Sequence, residues 1–74
     1  MTIKEAEYKF GVLKTTVSVN ETLSLLVRRL YQKDEDIYYK VLTTLNIRFD
    51  WNNLEPGTEI LYLDKSAISQ VSEV

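Results

Sequence analysis

The four carboxylates between residues 50 and 64, Asp50, Glu55, Glu59 and Asp64, set the first chemical test. Two carboxyl groups work as general acid and base only when a rigid pocket holds them at hydrogen-bonding reach of one substrate. Asp50 and Glu55 fall in or beside a loop and Glu59 takes an exposed strand phase, so no element brings a pair together. No glycine-rich phosphate loop and no metal-spaced cluster accompanies them. The 74 residues include neither Cys nor His. That excludes thiol and imidazole relays, the usual zinc sites, and disulfide staples. The expectation is a protein that is not an enzyme, with no catalytic residue, no metal and no cofactor.

Recognition is the chemistry that remains. The segment Ile47-Arg48-Phe49-Asp50-Trp51-Asn52-Asn53 carries two aromatics within three residues. Phe49 and Trp51 can stack on a sugar ring, anchor a protein interface, or plug the open end of a small core. Arg48 offers a charge-assisted contact to a partner carboxylate, and Asn52 and Asn53 suit turn geometry. Arg28-Arg29 reads as a solvated outer helix face or an anion contact. Nine Lys and Arg against eleven Asp and Glu leave a net charge of -2, which argues against nucleic acid.

These residues need positioning, and four segments are available. Over residues 8–19 Tyr8, Phe10 and Val12 alternate with Lys9 and Gly11, then Val17 and Val19 with Thr16 and Ser18. This predicts a strand at 15–19 behind a weaker extended arm. Residues 21–32 read as a helix capped by Asn20, with Leu23, Leu26, Val27 and Leu30 on one apolar stripe. Residues 35–45 read as a second helix, capped by Asp34 within the acidic Asp34-Glu35-Asp36 start. Its stripe is Ile37, Tyr38, Val41, Leu42 and Leu45, and Asn46 is a left-handed stop. Pro56-Gly57 has type II turn chemistry and leads into a strand at 58–63, with Ile60 and Tyr62 toward the helices and Leu61 and Leu63 outward. The tail from Lys65 is expected to be loosely held.

Strand, helix, helix, strand is most economically folded as an α+β domain: a two-stranded antiparallel sheet backed by two helices, with an N-terminal extended arm at 1–14 and a tail at 65–74. The sheet then joins the beginning of the domain to its end. A chain this short has a core near the lower limit for independent folding. The longest apolar run, Ile60-Leu61-Tyr62-Leu63, falls far short of the ~20 residues that cross a bilayer, so no membrane is expected. Residues 1–7 lack the basic start and apolar stretch of a secretory signal, which points to a cytoplasmic product or one exported only within a larger assembly.

From Thr15 to Asp64 the chain resembles the LysM-like fold, a βααβ module. Asn20-Glu21-Thr22-Leu23 stands where that family has Gly-Asp-Thr-Leu, Leu45-Asn46 at its Leu/Ala-Asn step, and Leu54-Glu55-Pro56-Gly57-Thr58-Glu59-Ile60 matches its closing Leu-x-Pro-Gly-x-x-Leu/Ile pattern. The resemblance implies one of two functions. Carbohydrate-binding members cradle N-acetylglucosamine chains of peptidoglycan or chitin in two loops. Here those would be Asn20, Glu21 and Thr22, and the 46–57 region with Asn52, Asn53, Glu55, Pro56 and Gly57. Glu21 takes a position normally close to the ligand, and the family's Gly is missing.

The other branch is similar in length and in its polar extensions. Phage tail protein X and the baseplate wedge proteins with a LysM-like domain clamp neighbouring baseplate, hub or tail-tube subunits of a bacteriophage tail or related injection machine. That branch implies a virion protein, assembled in the host cytoplasm, with other tail and baseplate proteins as partners and several copies per assembly. The residues open to such partners are Tyr8 and Phe10 of the arm, Arg48, Phe49 and Trp51 of the loop, and the outward Leu61 and Leu63. The arm covering Leu61 and Leu63 is the competing arrangement, and the two free strand edges are a further mode of contact.

Overall fold

In a computed structural model, which describes residues 1–72, the chain forms α1 (Ile3–Phe10), β1 (Leu13–Thr16), α2 (Leu23–Tyr31), α3 (Asp36–Leu45), β2 (Glu59–Tyr62) and α4 (Lys65–Ile68). β1 and β2 pair antiparallel in the register Leu13↔Tyr62, Lys14↔Leu61, Thr15↔Ile60 and Thr16↔Glu59. The expected α+β architecture is present: a two-stranded antiparallel sheet whose strands enclose two helices in βααβ order. Two further helices flank it.

The N-terminal arm is not extended. Thr2 and Glu5 form a capping box: the Thr2 hydroxyl accepts from the Glu5 N–H, and the Glu5 carboxylate accepts from the Thr2 N–H. Those bonds hold the Glu5 carboxyl below the usual carboxylate range. Ile3 and Ala6, three apart on one face, are buried where α1 lies against α4. The alternation at Tyr8, Phe10 and Val12 is therefore not a strand pattern. Its first two members end a helix, and Gly11 at φ 77° takes the chain out of it.

Both central helices bury the stripes that their spacing predicts, with Leu26, Val27, Val41 and Leu42 wholly inside. Their caps differ from expectation. Asn20 is left-handed at φ 61°, and Thr22 caps α2 by accepting from Leu25 N–H, so the helix starts later than residue 21. Asp34 does not cap α3. It pairs with Arg28 at 3.7 Å, and Glu35 at the cap position makes no side-chain bond. Asn46 ends α3 without left-handed geometry, at φ -120°.

The strands are shorter than the 15–19 and 58–63 expected. β1 stops at Thr16, but Val17 still donates to Thr58 O at 2.9 Å and accepts from Gly57 N–H at 2.8 Å. The turn between Glu55 and Thr58 is type II as predicted: Glu55 O accepts from Thr58 N–H across Pro56-Gly57, and Gly57 sits at φ 86°. Ile60 faces the helices and is fully buried.

Leu63 does not face outward. The strand's alternation ends at Tyr62, the chain turns toward Asp64, and Leu63 is fully buried as part of the core. Nor is the tail loose. The Asp64 carboxylate caps α4 through the Ser66 N–H and hydroxyl, which lowers its own pKa, and Ala67 and Ile68 are buried. Ser72 N–H then donates to Met1 O at 2.9 Å, so the first and last described residues meet. Glu73 and Val74, the end of the expected tail, lie outside the described residues.

Tyr31 joins these layers. Its ring stacks on Tyr38 with centroids 4.4 Å apart, and its buried hydroxyl donates to Leu63 O at 2.9 Å. Burial pushes its pKa well above the ordinary tyrosine range. Because the folded value is raised, Tyr31 favours the fold fully below the unfolded tyrosine pKa of about 10 and progressively less as pH rises above it. Replacing Tyr31 by Phe keeps the stack but orphans the Leu63 carbonyl. A loss of about 1–2 kcal/mol is expected at neutral pH, with a flatter alkaline limb of the stability curve, both read by urea denaturation.

Candidate functional site

The candidate interaction surface is organised by the sheet and what surrounds its edges. In an antiparallel pair, backbone groups alternate between facing the partner strand and facing away. Val17 faces Thr58, so the register turns Thr15 and Leu13 inward to β2, and Lys14, Thr16 and Ser18 outward. On β2 the outward residues are Glu59 and Leu61. A two-stranded sheet has only edges, and unpaired edges attract other chains.

On the β1 side, a side-chain pair substitutes for a neighbouring strand. Arg29, on α2, donates to Thr16 O at 2.8 Å and to the Thr15 hydroxyl at 3.0 Å. The same guanidinium grips both oxygens of Glu21, at 2.8 and 2.9 Å, and Glu21 accepts from Ser18 N–H at 3.0 Å. Donor meets Thr16 O and acceptor meets Ser18 N–H, as a third strand would supply them. The Glu21 side chain is only 7% exposed. The fork of Arg29 holds its carboxyl below the usual range, and Glu21 in turn raises the guanidinium's pKa. Arg29 is thus tied down, while Arg28 occupies the more solvated position.

On the β2 side the substitute is Asn46. Its Nδ2 donates to Leu61 O at 2.9 Å and its Oδ1 accepts from Leu61 N–H at 3.0 Å. The second Nδ2 hydrogen goes to Leu42 O at 2.8 Å. An amide side chain presents one donor and one acceptor side by side, the same pair that a strand residue offers. Further along, Leu63 O is taken by Tyr31.

The other sequence candidates distribute around this frame. Phe49 and Trp51 come together with centroids 5.4 Å apart, half-buried and packed on the core. Asn46 O accepts from Phe49 N–H, which anchors their loop to the end of α3. Arg48 and Ile47 are exposed. Asp50 closes an Asx-type turn by accepting from Asn52 N–H, and Asn52 and Asn53 face solvent. Tyr8 is 95% exposed on α1, and Phe10 lies under the Lys9 ammonium at 5.6 Å. Leu61 is half-buried and Leu63 is inside, so only the first retains a surface.

The two loops proposed for sugar do approach, since Val17 bonds the turn at Gly57 just before the chain reaches Asn20. Their polar groups are largely committed, with Glu21 on Arg29 and Thr22 on Leu25 N–H. Glu55, Pro56 and Gly57 form the exposed turn itself. Among the described residues no group of three acidic side chains is arranged to hold a metal ion, and no helix is long and apolar enough to cross a membrane.

Sequence reasoning left Arg29 between a solvated face and an anion contact, without Glu21 as the anion. It read Asn46 as a helix stop and as the Asn of the Leu45-Asn46 step, without its bonds to β2. Neither bonding pattern has a local sequence signal, apart from the acidic Glu21 eight residues before Arg29. No family model, no curated protein and no solved structure matches this chain.

Proposed function

We propose that the chain is a structural adaptor built on a LysM-like domain, clamping subunits of a bacteriophage tail baseplate or a related injection machine. Three features support the fold part of this reading: the βααβ order, the Glu55-Pro56-Gly57-Thr58 type II turn, and the Asn at the end of the second central helix. They coincide with the elements on which the sequence resemblance rests.

The observation that carries the choice of function is the state of the first loop. Glu21 and Thr22, which stand where a LysM module meets its sugar, are spent on Arg29, Ser18 and the α2 cap. A sugar would have to displace the Arg29 fork from a Glu21 carboxylate that already has its hydrogen bonds satisfied. Exposed apolar side chains, by contrast, are plentiful: Tyr8, Phe10, Leu13, Val19, Leu25 and Ile47. Such surface suits protein contact rather than a polar glycan.

Two measurements test the reading. A tagged chain added during assembly is expected to sediment with complete tail particles and to resist removal by salt. Complete particles that lack it would sink the adaptor. Titration of the 15N-labelled protein with N-acetylglucosamine oligomers is expected to leave the amides of Asn20, Glu21, Thr22 and the 46–57 loop unmoved. Saturable shifts confined there would favour glycan binding instead.

A further inference from the structure

The side-chain seals leave two parts of the sheet edges open: the single residue Glu59 on β2, hemmed in by the sealed Leu61, and a longer stretch on β1. Arg29 and Glu21 occupy Thr16 O and Ser18 N–H, Asn46 occupies both outer groups of Leu61, and Tyr31 occupies the Leu63 carbonyl. On β1 the register leaves the N–H and C=O of Lys14 and the N–H of Thr16 facing outward, with no side chain bonded to them. We propose that this stretch of β1 accepts one extended, acidic segment of a partner protein as a third strand. The proposal deepens the adaptor reading by naming its mode of contact.

Main-chain groups in a row require an extended occupant, because only another strand presents donors and acceptors at matching spacing. The side chains then specify its composition. Leu13, 44% exposed, stands on the face shared with Thr15, and Lys14 on the opposite face. A strand laid alongside must therefore alternate, with an apolar residue against Leu13 and a carboxylate against Lys14. Lys14 is free to exchange partners: its pairing with Glu59 is long, 3.8 Å, and both side chains are about two-thirds exposed.

A second copy of this chain does not fit. Symmetric antiparallel pairing about Lys14 would set two Lys14 ammonium groups opposite each other, and a shift toward Thr16 would meet Arg29. The open stretch is about three residues, or ~10 Å. One short segment is therefore the whole occupant.

The probe is a synthetic hexapeptide alternating valine and glutamate, titrated into the full 15N-labelled chain, with a valine–lysine hexapeptide as control. With the acidic peptide, saturable amide shifts at residues 12–16 and slowed hydrogen exchange at Lys14 and Thr16 are expected, with no response to the basic one. Lys14→Glu should weaken the acidic peptide about tenfold and admit the basic one. No shift at residues 12–16 up to ~5 mM, equal response to both peptides, or an unchanged affinity in Lys14→Glu each overturns the proposal. If the chain sediments with tail particles while the peptides leave the edge unmoved, the adaptor reading stands and this contact mode fails. If the peptide footprint appears and particles lack the chain, the reverse holds.

Discussion

Replacing Asn46 by Ala should cost about 3 kcal/mol of folding stability. The substitution removes three side-chain hydrogen bonds and leaves Leu61 N–H and Leu61 O without partners on the β2 edge. Each orphaned backbone group costs about 1–3 kcal/mol when buried, and the lower part of that range applies because Leu61 is only half-buried. At roughly 0.05–0.15 kcal/mol per residue, a chain of this length has about 4–11 kcal/mol in total. The loss therefore consumes much of the margin and should lower the melting temperature by about 12–24 °C.

Asn46→Asp separates bonding from bulk. An ionised carboxylate still accepts from Leu61 N–H, but now faces the carbonyl oxygens of Leu61 and Leu42 with no donor between them. Its pKa would be raised in the fold, so the protonated form, which restores one donor, is favoured at low pH. Relative to the parent protein, Asn46→Asp is expected to be most damaged at neutral pH, to recover as pH falls through the raised folded value, and to have recovered fully by about pH 4. A penalty that does not change with pH would show that Asn46 acts through packing alone.

The legible and illegible parts of this molecule divide along a physical line. Periodicity is local, and it revealed α2 and α3 through Leu23, Leu26, Val27 and Leu30 and through Val41 and Leu42. The Pro56-Gly57 dipeptide carries its backbone angles with it, so its turn was also readable. α1 was misread although its signal was present. Thr2-Ile3-Lys4-Glu5 is a capping box, but a two-residue alternation at Tyr8 and Phe10 over-rode it, and neither of those side chains is buried. Leu63 shows the limit of strand parity, which holds only while the strand lasts.

The edge seals were beyond sequence reading. Arg29 and Asn46 look like surface polar residues on a helix and at its end, and their value comes from strands 13 and 15 residues away in the chain. Exposure was legible at Tyr8, Phe10 and Arg48, which lie at the surface as expected. The opening at Lys14 required the register.

The second large effect concerns Arg29. Arg29→Ala strips the Glu21 carboxylate, 7% exposed beside the guanidinium, of its charge partner, and frees Thr16 O and the Thr15 hydroxyl. Breaking a fully buried pair costs about 3–5 kcal/mol. Arg29 itself is 39% exposed, so screening reduces the expectation to about 2–3 kcal/mol. Arg29→Lys should recover less than half, because an ammonium cannot bridge both Glu21 oxygens and Thr16 O as the planar fork does.

Glu21→Gln should cost less, about 1 kcal/mol, since the amide oxygen still accepts from Ser18 N–H. The double-mutant cycle between Arg29→Ala and Glu21→Gln then isolates their coupling. The acid limb supplies an independent check. Because the folded Glu21 pKa is lowered, its stabilisation is present above the ordinary carboxylate value of about 4.3 and is lost as pH falls through the folded one. Glu21→Gln should therefore flatten the loss of stability below about pH 5, leaving the parts due to Glu5 and Asp64, whose pKa values are also lowered. An acid limb unchanged by Glu21→Gln, together with a coupling near zero, would reduce the pair to a surface contact. The edge of β1 would then owe its protection to something other than the Arg29 fork.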